Sequence, residues 1–135
     1  LETIGVPIVG MNTTHFPPFI EQSIESDPEV LRVDSATQVA EICNTHWSTL
    51  GLGSSVLATV PVPEDVAIER GSLAELLSAA ESAWAESSLP SATRTPFLLN
   101  TLAERTDGKS LVANVALLCN NAYKASEIAL AISTH

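Results

Sequence analysis

Apolar runs separated by polar loops mark the first part of the chain. The run GVPIVGM, from Gly5 to Met11, is nearly continuous and predicts a buried strand in a parallel sheet. The stretch NTTHFPPFI follows it and predicts a stiff, apolar loop, because it holds two prolines and two phenylalanines. Ligands of open α/β sheets bind beyond the carboxyl ends of the strands, so this loop is a candidate wall of a binding site.

A helix and a second strand follow this loop. The stretch VLRVDS, from Val30 to Ser35, predicts an extended segment that leads into a helix, and Ser35 with Gln38 has the spacing of a capping box. Apolar residues then recur at helical spacing up to Gly51, which ends the helix. The run SSVLATVPVP predicts another buried strand. Strands that alternate with a crossover helix are typical of α/β proteins.

The second half of the chain predicts helices alone. Leu73 and Trp84 belong to one face of a first amphipathic helix. A second helix is predicted to begin with Thr95 as its cap and Pro96 at its first position, and to end at Asp107-Gly108.

The last predicted helix is capped by Ser110 and runs to about Ile132. At 1.5 Å per residue it is roughly 30 Å or more long. Its core face is predicted from apolar residues at spacings of three and four, namely Leu111, Val115, Leu118, Cys119 and Ala122.

Three asparagines interrupt this apolar helix, although asparagine is a poor helix former. Asn114 and Asn121 are seven residues apart and therefore project from nearly the same side, around Leu118. A buried amide without a partner costs about 1–3 kcal/mol, so such an amide bonds either a neighbouring backbone group or a ligand. The spacing alone favours the backbone group.

The charge distribution argues against a nucleic-acid-binding function. The 135 residues carry a formal net charge of −10, and the six lysines and arginines form no run. Contact with a nucleic-acid backbone needs clustered basic residues, whereas helix N-termini with one or two polar side chains can hold a small phosphorylated ligand. Apolar residues make up 45% of the chain and charged residues only 16%. The apolar helices therefore exceed what one small domain buries, which predicts a partner chain or partner domain.

Two cysteines, Cys43 and Cys119, have no metal-ligand spacing. Each lies on the apolar side of a predicted helix, so we expect buried thiols in a reducing compartment, with a disulfide as the alternative. No apolar run is long enough to span a bilayer, and no signal peptide is visible. We expect an intracellular, cytoplasmic protein without a membrane partner, or a mitochondrial one if a targeting segment lies upstream.

The order of several motifs resembles the C-terminal half of the pseudouridine-5′-phosphate glycosidases, a family that includes the indigoidine-cluster A-type proteins. The matching stretches are LETIGVPIVGMNT, FPPF, LRVDSATQVAEI, HWSTLGLGSSVLATVPVPED, TPFLLNTLAERTDGKSLVANVALLCNNA and SEIALAI. They cover nearly the whole chain. The resemblance implies a layered α/β/α sandwich, in which residues 1–135 are the C-terminal part of a single domain, and assembly as a homotrimer.

The resemblance also implies an enzyme of nucleoside catabolism, a glycosidase of the hydrolase or lyase type. Such an enzyme reversibly cleaves the C-glycosidic bond of pseudouridine 5′-phosphate to uracil and ribose 5-phosphate. The family uses a lysine that forms an imine with the opened sugar, a glutamate as proton donor, and Mn²⁺ held through an aspartate. The order of the motifs puts all three residues upstream of Leu1, so the chain alone is expected to be inactive. Lys109 and Lys124 match no catalytic position.

One functional residue carries over by resemblance. The family's active-site asparagine lies in the motif that reads SLVANVAL here, which places it at Asn114 as a substrate-binding residue. Asn121 is then structural. His15, on the loop after the first strand, is a weaker candidate for a base or a phosphate contact, and His46 is expected to be a packed core histidine.

Three stretches depart from the family pattern. The stretch TTHFPPFI replaces Thr-Asp-Glu-Phe-Pro-Ala-Phe-Tyr, EQSIESDPEV lacks the usual arginine and Ser-Gly pattern, and GLGSS replaces GLGGG. We expect these changes at strand ends near the ligand, where they alter the substrate or abolish activity. The alternative function is therefore a truncated or degenerate, non-catalytic binding or oligomerisation module. A third hypothesis is an unrelated α/β domain with convergent patterning.

Overall fold

The computed structural model describes residues 2–134 of the chain. Its strands and helices, in chain order, are β1 (Ile8–Met11), β2 (Leu31–Val33), α1 (Ala36–Asn44), β3 (Leu57–Thr59), α2 (Ala74–Glu86), α3 (Arg94–Arg105) and α4 (Lys109–Ser133). Short 3₁₀ segments cover Glu2–Ile4 and Ser91–Thr93, and a π-helical turn at Thr45–Thr49 follows α1. The α/β fold and the all-helical second half are confirmed.

The chain divides into two compact units. The first is built from the chain up to Pro18, from Ser23–Pro61 and from Leu118 onward, and the second from Phe19–Gln22 and Val62–Leu117. The single domain that the resemblance implies stays a prediction. Among the described residues, no helix has both the length and the apolar character needed to cross a bilayer.

The first unit contains a parallel three-stranded sheet with the strand order β2-β1-β3. Val9 of the central strand β1 pairs with Leu31 of β2 and with Ala58 of β3. Val9, Gly10 and Met11 are all buried, so both faces of β1 are covered. This burial explains why β1 reads as an apolar run without alternation. The two predicted strands are confirmed at shorter lengths as β1 and β3, and the predicted extended segment contains the strand β2.

The start of α1 follows the predicted capping pattern. The backbone N–H of Gln38 donates to Ser35 Oγ at 3.2 Å, and the Gln38 side chain in turn accepts from the backbone N–H of Asp34 at 2.6 Å. Gly51 ends the helical segment with a φ of +64°. The core of this unit then forms around the sheet from Val9, Met11, Val33, Val39 and Cys43, with Ile128 and Ile132 packed against them.

The second unit is helical, with a core of Ile20, Val62, Leu73, Leu102, Ala113 and Leu117. Two predicted helix starts are wrong. Helix α3 begins at Arg94, because a 3₁₀ turn leads directly into it, so Thr95 is not its cap. Ser110 lies inside α4, and its backbone N–H donates to Thr106 Oγ1 at 3.1 Å. Thr106 therefore takes the capping role predicted for Ser110.

The predicted core face of α4 is also wrong. The fully buried positions are Ser110, Ala113 and Leu117. The residues predicted to be buried are all exposed: Leu111, Val115, Leu118, Cys119 and Ala122. Both stripes are apolar, and a helix that is apolar almost all round gives no signal for the side that faces the core.

The two cysteines have different environments. Cys43 is buried, as predicted, and burial raises the pKa of its thiol. Cys119 is exposed, so its predicted burial is wrong for the same reason as the rest of its stripe. Both thiols are free, and the alternative of a disulfide is contradicted.

Candidate functional site

The carboxyl edge of the parallel sheet carries polar residues. Asn12 follows β1 and Asp34 follows β2. The backbone N–H of Asn12 donates to the carbonyl oxygen of Val33 at 2.8 Å, which ties the turn after β1 to the neighbouring strand. Asn12 has a φ of +57°, a conformation that asparagine tolerates better than most residues. Ligands of α/β sheets bind at this edge, so these side chains form a candidate site within the first unit.

Gly10 allows the loop after β1 to lie directly against the strands. A Cβ at Gly10 would lie 2.6 Å from the carbonyl oxygen of Thr13 and 2.7 Å from Cγ2 of Val30. No side chain fits at these distances, so the close approach of this loop requires a glycine.

His15 lies on this loop, in the stretch that departs from the family pattern. The backbone N–H of His15 donates to Thr13 Oγ1 at 3.2 Å, and Thr14 Oγ1 lies 3.0 Å from His15 Nδ1. His15 also forms an antiparallel bridge with Glu29 and lines an open groove of about 640 Å³ with residues 23–26. The prediction that this stretch lies at a strand end is confirmed, at the carboxyl end of β1, and its contact with a ligand stays a prediction.

The GLGSS stretch lies at the opposite edge. Ser54 Oγ donates to the carbonyl oxygen of Gly5 at 2.6 Å, and His46 Nε2 lies 2.8 Å from Ser54 Oγ. The hydroxyl has one proton, which it gives to Gly5, so His46 Nε2 carries a proton and donates. Gly5 and Ser54 precede β1 and β3 respectively, at the amino ends of the strands. GLGSS thus lies at a strand end, and its proximity to a ligand stays a prediction, whereas His46 is a packed histidine as predicted.

The three asparagines of α4 differ in their surroundings. Asn120 donates from its amide to the carbonyl oxygen of Pro61 at 3.3 Å. Asn121 is exposed, so the asparagine that supports the structure is Asn120 and not Asn121. Asn114 is half-buried, and within residues 2–134 its side chain makes no hydrogen bond. The two N–H donors and the carbonyl acceptor of Asn114 are thus unpaired within the described residues.

Lys124 of α4 does not have the surroundings of an imine-forming amine. Lys124 Nζ lies 2.8 Å from Glu127 Oε2, and this hydrogen bond raises the pKa of Lys124 and lowers the pKa of Glu127. A nucleophilic amine must lose its proton, so the ion pair opposes that role for Lys124. Lys109 lies at the first turn of α4 and lines a groove of the second unit.

That groove has a volume of about 800 Å³ and is lined by residues 65–69, 72, 73, 76, 105–109 and 112. Its two cations, Arg105 and Lys109, are opposed by the carboxylates of Asp65, Glu69 and Asp107. This balance of charge does not favour an anion, and Asn114 is absent from the lining. Within residues 2–134, no group of three or more His, Cys, Asp or Glu side chains is arranged to hold a metal ion.

Residues 1–131 match the family model described as indigoidine synthase A like protein. The chain belongs to this family. The match confirms the membership predicted from the ordered motifs, including the C-terminal half as the matching part.

Curated members of the family align with nearly the whole chain. A pseudouridine-5′-phosphate glycosidase of Jannaschia sp. is 40% identical over 134 residues, which are 99% of this chain and 44% of that protein. The protein of the same name from Kosmotoga olearia is 40% identical over 134 residues, with 98% of this chain and 45% of that protein covered. The chain thus spans less than half the length of these relatives.

Two solved structures share the fold. The prealnumycin C-glycosynthase in complex with ribulose 5-phosphate superposes with a TM-score of 0.81 at 28% identity, over 99% of this chain and 43% of that one. The indigoidine synthase A-like protein of Thermotoga maritima also gives a TM-score of 0.81, at 32% identity, over 99% of this chain and 42% of that one. The fold of the chain is therefore that of the C-terminal part of this family.

Proposed function

We propose that this chain is the C-terminal part of an enzyme that reversibly cleaves the C-glycosidic bond of pseudouridine 5′-phosphate to uracil and ribose 5-phosphate. The proposal is supported by relatives of that name, which are 40% identical over 99% of the chain. A second support is the C-glycosynthase structure with bound ribulose 5-phosphate, since a related fold there accepts a phosphorylated pentose. The substrate class is accordingly a small phosphorylated nucleoside.

Asn114 is the substrate-binding residue of this proposal. The observation that carries it is the contrast along α4, where Asn120 is bonded to the backbone and the half-buried amide of Asn114 has no partner within residues 2–134. An amide in that state can donate to a sugar or phosphate oxygen and accept from a hydroxyl. Because such an amide is already partly desolvated, a hydrogen bond to a ligand is stronger there than in water.

The covalent chemistry belongs to residues outside this chain. We infer that a lysine attacks the opened sugar, that a glutamate donates the proton to the departing base, and that Mn²⁺ is held elsewhere in the protein. The described residues do not by themselves fit a metal site. The role of this chain is then to bind and orient the substrate, within an intracellular homotrimer.

The second candidate is a non-catalytic binding or oligomerisation module. The altered loop around His15 favours this alternative, because it lies at the carboxyl edge of the sheet, where ligands of this fold class bind. The two candidates differ in one measurable property, which is turnover once the rest of the family protein is present.

A chimera tests the proposal. This chain replaces the matched 134 residues of the Jannaschia glycosidase, and uracil release from pseudouridine 5′-phosphate is measured with Mn²⁺. We expect turnover by the chimera and none by the isolated 135-residue chain. The intact Jannaschia protein is the positive control.

Two results would count against the proposal. A chimera that folds and binds substrate without turnover supports the binding module. Turnover by the isolated chain shows that the catalytic lysine has been placed in the wrong part of the protein.

A further inference from the structure

A pocket opens beside α1 at the amino edge of the sheet. It has a volume of about 440 Å³ and lies entirely within the first unit. The residues that line it are Pro7, Glu41, Ile42, Thr45, His46 and Leu50. Pockets of this size hold small organic ligands, which most often bind between apolar walls with a few polar groups. We call it the α1 pocket.

The π-helical turn after α1 brings these residues together. The backbone N–H of Thr45 donates to the carbonyl oxygen of Glu41, so the two residues lie one above the other. Ile42 and His46 have the same spacing. The backbone N–H of Leu50 donates to the carbonyl oxygen of Thr45 at 2.9 Å, across five residues, which adds Leu50 to the wall. Such π-helical turns occur frequently at functional sites.

The imidazole of His46 is fixed in this wall. His46 is only 5% exposed, and its Nε2 donates to Ser54 Oγ at 2.8 Å. Ser54 is held in turn by Gly5, whose carbonyl oxygen accepts from its hydroxyl, and by Trp47 Nε1, which donates to its carbonyl oxygen at 2.9 Å. These contacts set both the orientation and the tautomer of the ring. Nδ1 of the neutral ring therefore carries a lone pair and accepts hydrogen bonds.

Three polar groups of the pocket have no hydrogen-bond partner within residues 2–134. They are His46 Nδ1, the carboxylate of Glu41 and the hydroxyl of Thr45. Nδ1 keeps access to solvent, although the residue as a whole is buried. The first two groups are acceptors, and the hydroxyl can accept as well, so the pocket matches a ligand that donates.

The charge of the pocket selects a cation. Glu41 is negative, and among the described residues that line the pocket none is a lysine or arginine. The net charge of −10 on the whole chain adds to the attraction. A primary ammonium group presents three N–H donors in a compact head, which matches the three acceptors. The apolar walls formed by Pro7, Ile42 and Leu50 suit a short alkyl chain attached to it.

We propose that the α1 pocket binds a small primary amine as its ammonium ion, with His46 Nδ1, the Glu41 carboxylate and the Thr45 hydroxyl as its acceptors. A metal ion fits less well, because within residues 2–134 no third His, Cys, Asp or Glu joins His46 and Glu41. The pocket lies at the amino edge of the sheet, whereas the candidate substrate site lies at the carboxyl edge. The inference is therefore independent of the proposed reaction.

An NMR titration of the 135-residue chain tests the inference. n-Butylammonium chloride is added at about pH 8, where histidine side chains are ordinarily neutral and alkylamines are protonated. We expect a saturable shift of the ¹⁵N resonance of His46 Nδ1, because this atom accepts a new hydrogen bond. Tetramethylammonium chloride carries the same charge without an N–H donor, so it should leave this resonance in place.

Variants identify the acceptors, with binding followed through the backbone amide of Thr45. Glu41→Gln removes the charge and should weaken the binding of n-butylammonium about tenfold. Glu25→Gln makes the same change at an exposed carboxylate outside the pocket and should leave binding unchanged. His46→Gln keeps an N–H donor for Ser54 but loses the Nδ1 acceptor, so it should also weaken binding about tenfold. Thr45→Val removes the third acceptor, leaves the bond between His46 and Ser54 in place, and should weaken binding severalfold.

Four outcomes would overturn the inference. An equal shift with tetramethylammonium shows a response to charge alone. A proton on His46 Nδ1 in the chain without amine removes the acceptor. Equal affinity of Glu41→Gln and the wild-type chain places the amine elsewhere. Loss of the response in the chimera with the Jannaschia protein shows that the rest of the family protein fills the pocket, so that no free amine binds there.

Discussion

Replacing Gly10 tests whether the loop after β1 lies over the sheet. Gly10 is buried in the central strand, and the carbonyl oxygen of Thr13 lies 2.6 Å from the position of an added Cβ. Gly10→Ala therefore forces either the strand or the loop to move. Because the obstacle is backbone, a change of side-chain rotamer cannot relieve the contact.

The magnitude follows from two opposing effects. Overpacking a well-filled core costs about 1–3 kcal/mol, and a contact with backbone belongs at the upper end of that range. Alanine also reduces the conformational entropy of the unfolded chain, which raises the free energy of unfolding by about 0.4–1 kcal/mol. We therefore expect Gly10→Ala to lower the free energy of unfolding by about 1.5–2.5 kcal/mol.

Gly53→Ala is the matched control. No atom lies within 4 Å of a Cβ at Gly53, and its φ is not in the left-handed region. The free energy of unfolding of Gly53→Ala should equal that of the wild-type chain or exceed it by about 0.4–1 kcal/mol. Urea denaturation followed by circular dichroism gives both values. If Gly10→Ala is as stable as Gly53→Ala, the loop does not pack against β1, and the arrangement described for the carboxyl edge of the sheet is contradicted.

Three smaller predictions concern α4 and the thiols. Asn120→Ala should lower the free energy of unfolding by about 0.5–1.5 kcal/mol in urea denaturation, because it removes the hydrogen bond to the carbonyl oxygen of Pro61. The control Asn121→Ala, at the exposed neighbouring asparagine, should change this free energy by no more than about 0.5 kcal/mol. A thiol reagent should modify Cys119 rapidly and Cys43 only on unfolding, and equal rates would contradict the burial of Cys43. The pKa of Glu127 is lowered on folding, so its contribution to stability is present above its unfolded pKa and is lost as the pH falls through the folded value. Lys124→Met should raise the pKa of Glu127 in an NMR titration, and an unchanged pKa would refute the ion pair.

The strands and the capping of α1 could be predicted because their signals are local. The apolar run around Val9 has no polar alternation, which indicates burial on both faces, and Ser35 with Gln38 sets a helix start within one turn. The start of α4 is harder to predict from the sequence. Its cap, Thr106, lies before a turn at Asp107-Gly108 with positive φ at both residues, so the capping side chain precedes the apparent helix stop.

The sequence could not predict which face of α4 is buried, because no face of this helix is clearly polar. Leu117 and Leu118 are neighbours of equal apolarity, yet the first is 8% exposed and the second 60%. Only the contacts with other elements decide between them. For the same reason the sequence did not show that Asn120, three residues after Leu117, bonds the backbone, while the Asn114 side chain has no hydrogen bond within residues 2–134.

The measurement that tests the account most directly compares Asn114→Ala with Asn121→Ala in the chimera with the Jannaschia protein. The ratio kcat/KM for uracil release is measured at concentrations of pseudouridine 5′-phosphate below KM, at equal folded yield. The account predicts that kcat/KM falls by about two- to tenfold for Asn114→Ala, as expected for one lost hydrogen bond to the substrate, and changes little for Asn121→Ala. Equal values, or a larger loss for Asn121→Ala, would contradict the assignment of Asn114 to the substrate.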